Sequence, residues 1–92
     1  MSTKLKEAQR LFQQNELPGA LNILNEYISD GAADSVALQL RARIHYKMQN
    51  WGGAMNDYAA VLEADPENPE AKSGLEMARS ILGYFTPDMF NP

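Results

Sequence analysis

Residues of matching type recur along this chain at a spacing of 34 positions. Gly19, Ala20 and Asn22 stand 34 positions before Gly53, Ala54 and Asn56, Ala8 before Ala42, and Phe12 before Tyr46. The matched positions fall in segments of helical period separated by short breaks. A unit of two helices repeated at this interval has an apolar face that it cannot bury alone, so neighbouring units must stack. With 92 residues, the chain has room for two such units and one further element.

Local signals place five helices. The first starts at Ser2 or Thr3, both good caps, and runs to about Gln14, with Leu5, Ala8, Leu11 and Phe12 on one face. Asn15-Glu16 interrupts it. The second covers about Leu17 to Ser29, with Pro18 in the first turn, where a missing N–H costs nothing, and Gly31 just past the end. Asp34 or Ser35 caps the third, which reaches about Met48 and carries Leu38, Leu40, Ala42, Ile44, His45 and Met48 inward. The fourth covers about Trp51 to Ala64 and buries Ala54, Met55, Tyr58, Val61 and Leu62. Asp65-Pro66 stops it, because the residue before proline is pushed out of the helical region. Asn68-Pro69-Glu70 then supplies a cap, a first-turn proline and an acid near the positive end of a helix dipole. The fifth helix is expected to end at Leu82 with Gly83 closing it, and residues 84–92, with two prolines and no period, are expected not to be helical. No strand is expected.

Composition narrows the function. Twelve acidic against eight basic residues give a net charge of −4, whereas a nucleic-acid binder normally shows a basic balance. The overall charge permits a basic partner. Cysteine is absent, which removes disulfides, thiol catalysis and cysteine-ligated zinc. The amino-terminal residues have no apolar signal core, and no apolar run approaches the roughly 18 residues that span a bilayer. A cytoplasmic protein without membrane or nucleic-acid contact is the expectation.

Residues 35–68 resemble a complete tetratricopeptide repeat. Ala42 and Ala54 match the small residues where the paired helices cross, Trp51 the aromatic at the turn, Tyr58 the large residue of the second helix and Pro66 the closing proline. Arg41-Ala42 stands where many repeats carry leucine-glycine or arginine-glycine. Residues 1–34 are similar but worn: Ala8, Leu11, Gly19-Ala20 and Leu24 remain, whereas Ala32 replaces the proline, Tyr27 a small residue, and Lys4 and Glu7 apolar ones. Residues 69–83 look like the extra helix that shields the last repeat. The resemblance implies an all-α, right-handed superhelical stack of antiparallel hairpins, followed by a tail at 84–92.

The family resemblance also implies a non-catalytic module that binds a peptide or protein on a concave surface lined by the first helix of each repeat. The matching outward positions are Leu5, Gln9, Phe12 and Gln13, then Gln39, Arg43, Tyr46 and Lys47, then Ser73, Met77 and Ile81. Among them Leu5, Gln9, Phe12, Gln39, Arg43, Tyr46 and Met77 are the candidate partner contacts. Some members clamp a chaperone's terminal carboxylate with several cations and amides; here only Arg43 is cationic among the corresponding sites, so that ligand is not expected.

No residue set points to catalysis. His45, the single histidine, has Arg41 and Gln49 one turn away, which are poor metal ligands, and its place is that of an aromatic packed inside the hairpin. There is no phosphate-binding loop and no calcium-loop spacing. An enzyme is not expected, nor a cofactor or metal. Arg41 and Asp57 are expected to pair across the second hairpin. The rival function is a self-associating assembly module, because two repeats are fewer than the three usually needed and stacking through the terminal helices or the tail would supply the missing neighbour.

Overall fold

The computed structural model describes residues 3–29 and 34–85, with backbone alone at 84 and 85. These residues form five helices and no strand: α1 (Thr3–Gln13), α2 (Leu17–Ser29), α3 (Ser35–Lys47), α4 (Trp51–Ala64) and α5 (Pro69–Phe85). Each helix packs on its neighbour in sequence, and α1 also touches α3.

The 34-residue spacing reappears in the backbone of the turns. At the end of α1 the N–H of Asn15 donates to the Phe12 carbonyl at 3.0 Å and that of Glu16 to Leu11 at 2.8 Å. At the end of α3 the N–H of Gln49 donates to Tyr46 at 3.0 Å and that of Asn50 to His45 at 2.8 Å. Asn15 and Gln49 have φ of 61° and 62°, the left-handed conformation that lets a helix end satisfy its last carbonyls. These paired bonds form a Schellman turn, which reverses the chain within three residues. The helices so joined run antiparallel: His45 lies against Gly53 near the turn, and Arg41 meets Asp57 one helical turn farther from it on both sides. A Cβ at Gly53 would stand 2.8 Å from His45 Cγ, so the bare backbone there is what admits the imidazole.

Caps fix the other ends. Asp34 accepts the Ala37 N–H at 2.8 Å and, through its second oxygen, the Tyr27 hydroxyl at 3.0 Å, tying α2 to the start of α3. Asn50 accepts from Gly53 N and Asn68 from Ala71 N. Each such cap is worth about 1 kcal/mol.

Two apolar clusters make the core. Leu5, Ala8, Ala20, Leu24, Ala37, Leu40 and Ile44 form one; Ala42, Ala54, Tyr58, Val61, Ala71 and Ala78 form the other. The alanines admit close helix approach. Helix α3 serves both clusters and is consequently apolar on opposite sides, which leaves it one narrow solvent-facing strip. That is why its sequence lacks a clean apolar face.

Two expectations differ from this arrangement. Helix α5 continues past Gly83 through Phe85. Glycine stops a helix by turning left-handed, and Gly83 does not adopt a positive φ. Met48, expected inward, is 43% exposed, because it belongs to the reversing turn rather than to the packed part of α3. The expected partner of Arg41, Asp57, is buried, at 4% exposure. Residues 86–92 and Gly31 with Ala32 lie outside the described residues, so the expected course of the tail does too.

Candidate protein-interaction face

The solvent-facing strip of α3 consists of Val36, Gln39, Arg43 and Lys47, spaced by three and four residues so that they share one side of the helix. Val36 is 52% exposed. Beside it on α5, Glu70, Ser73 and Met77 occupy a matching strip. A shallow depression of about 170 Å³ is lined by Val36, Gln39 and Arg43, and another of about 370 Å³ by Ser73, Glu76, Met77 and Ser80.

Glu70 is the hub that joins α3, α4 and α5. Its Oε1 accepts Gln39 Nε2 at 2.7 Å and Arg43 Nη2 at 2.6 Å, its Oε2 accepts Arg43 Nε at 2.6 Å, and the Tyr58 hydroxyl donates to Oε2 at 3.3 Å. Gln39 is itself oriented by Asn68, whose Nδ2 donates to its Oε1 at 2.9 Å while Asn68 Oδ1 caps α5. The Arg43 guanidinium, joined by the Gln39 and Tyr58 donors, holds the Glu70 carboxyl below its ordinary value of 4.5 against the opposing effect of burial. Burial, then the neighbouring Glu70 charge, pushes the Tyr58 phenol up to about 12. Glu70 also stands in the first turn of α5, where a negative charge is favoured by the helix dipole.

On the α1 side the surface closes through one contact: the Lys47 amine sits 5.1 Å from the centroid of the Phe12 ring, cation over aromatic face. Tyr46 packs edge-on against Trp51, with centroids 5.0 Å apart and planes at 87°.

The structure brings together Gln39 and Arg43 among the expected contact residues, and it sets Phe12 beside their strip through Lys47. Gln9 is half-buried on α1. Met77 is 53% exposed and Arg43 is exposed as well. Phe12 and Tyr46 are half-buried against neighbours, so each offers an edge rather than a free ring. Leu5 is displaced from the outward set: it is 3% exposed and belongs to the first apolar cluster. Its side of α1 is the one that packs on α2 and α3, so no partner reaches it.

The residues missed by pattern reasoning are Val36 and Glu70. Both lie one turn before the outward strips at Gln39 and Ser73 and stand 34 positions apart, which is the signal that would have found them. The expected pairing of Arg41 with Asp57 is present, with Nε and Nη2 donating at 2.8 and 2.9 Å. His45 is held in the same hairpin, its Nδ1 3.1 Å from Asn50 Nδ2 and its Nε2 3.8 Å from Asp57 Oδ2. Among the described residues no group of three or more histidine, cysteine, aspartate or glutamate side chains is placed to hold a metal ion, and no helix is long and apolar enough to cross a membrane. Compared with protein-family models, curated proteins and solved structures, the chain matches none.

Proposed function

We propose that this chain is a non-catalytic protein-interaction module of the cytoplasm, built as a short tetratricopeptide-like superhelical stack, that takes a peptide or protein segment on the surface made by α1, α3 and α5. The observation that carries this reading is the adjacency of those three helices. Helix α3 contacts α1 directly and is hydrogen-bonded to α5 through Glu70, which supports reading the three helices as one binding surface. The equivalent turns at a 34-residue interval and an elongated body of 46 × 27 × 21 Å support a row of hairpins. Gln39, Arg43 and Glu70 on that surface are held by hydrogen bonds before any partner arrives, which favours recognition by preformed shape with little ordering cost.

Affinity capture with the intact protein and with an R43Q/Y46A variant tests this reading. A partner bound by the first and lost from the second supports it. A partner retained equally by both removes the surface from consideration.

The rival role, self-assembly by end-to-end stacking, is disfavoured by the outer side of α5, where Lys72, Glu76 and Arg79 are exposed. Such a side suits a solvated end better than a buried joint. Sedimentation that stays monomeric at rising concentration supports the adaptor; a concentration-dependent dimer favours assembly.

A further inference from the structure

Charge is divided unequally among the helices. Of eight basic residues, Lys4, Lys6, Arg10, Arg41, Arg43 and Lys47 lie on α1 and α3, which together hold one acid, Glu7. The remaining acids fall on α2, α4, α5 and the segments between and beyond the helices. A chain of net charge −4 therefore carries its positive charge on the two adjoining helices of the proposed binding surface.

Not all of that charge is engaged. Arg10 pairs with Glu7 on its own helix, and Arg41 is consumed by Asp57 inside the hairpin. Arg43 is paired with Glu70 yet its side chain remains 44% exposed. Lys6 and Lys47 are exposed and have no ion-pair partner among the described residues. Lys47 is nevertheless fixed at the seam between α1 and α3 by the Phe12 ring beneath it. On the strip with Arg43 and Lys47 the other side chains are an amide, Gln39, and an aliphatic, Val36. The Glu70 carboxylate, which faces this strip, is already occupied by Arg43, Gln39 and Tyr58.

From this juxtaposition we infer that the partner segment is an acidic peptide, whose carboxylates face Arg43 and Lys47 on the α3 strip beside α1 and whose apolar residues reach Val36. The inference rests on the adaptor reading and adds the sign of the ligand's charge, which is opposite to what the net charge of the whole chain suggests. Preformed cations on a surface of otherwise neutral polar groups favour one charge sign on approach and oppose the other. A nucleic acid is the less fitting polyanion. Base stacking needs open aromatic faces, whereas Phe12 is covered by Lys47 and Tyr46 is edge-on to Trp51. The acidic remainder of the chain would also repel a long phosphate backbone.

The test is backbone-amide NMR titration of the full chain with three probes: a peptide of alternating glutamate and leucine, its lysine–leucine counterpart, and an oligothymidylate. The expected result is that the acidic peptide displaces amide signals along α1 and α3, with an affinity that falls as salt is raised. An R43Q/K47Q variant should bind it about fivefold more weakly, since each exposed charge contact contributes a fraction of that factor. K47Q alone removes no ion pair and should show a partial loss with the fold intact. A K72Q/R79Q variant, altered on α5 away from the strip, should bind as the parent does. If the lysine–leucine peptide binds the same face as tightly, the acidic preference is wrong and the adaptor reading survives. If oligothymidylate binds more tightly than the peptide, the partner class is wrong. If no peptide moves an amide of α1, α3 or α5, both readings fall.

Discussion

The Asp57 carboxylate, 6% exposed at its side chain, is bound by the Arg41 guanidinium through two parallel bonds of 2.8 and 2.9 Å. The pair joins α3 to α4 between the two apolar clusters, and Arg41 also donates to Asn25 of α2 at 3.0 Å. Removing one partner of such a pair leaves the other charge buried without compensation. Arg41 is 22% exposed, so water offsets part of the loss. R41A is expected to lower stability by about 2–4 kcal/mol in chemical denaturation. R41M/D57L should recover most of that, because an apolar pair of similar volume carries no desolvation cost. If R41A unfolds at the parent's denaturant midpoint, the pair does not hold the hairpin.

Two glycines should respond to alanine with opposite signs. A Cβ at Gly74 would lie 2.7 Å from Tyr58 Cζ, whereas none of the surroundings of Gly52 come within 4 Å of the equivalent atom. G74A therefore forces the buried Tyr58 ring aside and should cost about 1–3 kcal/mol. G52A restricts the unfolded chain without a clash and should stabilise by about 0.4–1 kcal/mol. Thermal melts of the two variants check this, and equal shifts would contradict the close approach of α5 to Tyr58.

The two left-handed residues that end α1 and α3 invite the reverse change. Asn15 and Gln49 hold φ near 60°, which a Cβ disfavours by about 1 kcal/mol and asparagine tolerates better than glutamine. Q49G should raise the denaturation midpoint, and N15G should raise it less. The turns are far apart, so the double variant should show the sum of the two effects. A loss of stability in Q49G would mean that the glutamine side chain, not the turn geometry, matters there.

Stability should vary with pH in three separate windows. Burial lowers the His45 pKa from 6.5, with Asp57 opposing and Arg41 reinforcing the shift. The unfolded chain then binds the proton first as pH falls below 6.5, so stability declines there. H45F should flatten this limb. Glu70 behaves differently: its depressed pKa contributes stability above 4.5 that disappears as pH falls through the folded value, and E70Q should abolish that loss. Tyr58, raised from 10.0 to about 12, contributes stability below 10 that is lost as pH climbs through the folded value; Y58F should remove it. Melting temperature across the pH range reads all three.

Helix positions and their terminators were legible because they depend on neighbours in sequence. Pro18 and Pro69 sit in the first turns of α2 and α5, Pro66 follows the end of α4, and Asn50 caps its start. The error at Gly83 has the same origin. A glycine permits a left-handed turn but does not compel one, and the conformation is set by what α5 packs against. Leu5 shows a second limit. A matched position marks which helix a residue occupies but not which way it points, and Leu5 packs into the apolar cluster with Ala8 and Leu24.

The sequence by itself determined five helical segments, their 34-residue recurrence, the small residues at the crossings and the pairing of Arg41 with Asp57. It could do so because period, caps and hairpin spacing are local, and two helices joined by a three-residue turn can meet in few ways. Tertiary structure alone decided that Glu70, 27 residues from Arg43 and 12 from Tyr58, becomes the meeting point of three helices. It also decided that the basic helices α1 and α3 adjoin. Both outcomes depend on how one hairpin packs on the next, through contacts between residues distant in the chain. No local preference encodes that packing, and the net charge of the chain conceals its effect on the exposed face.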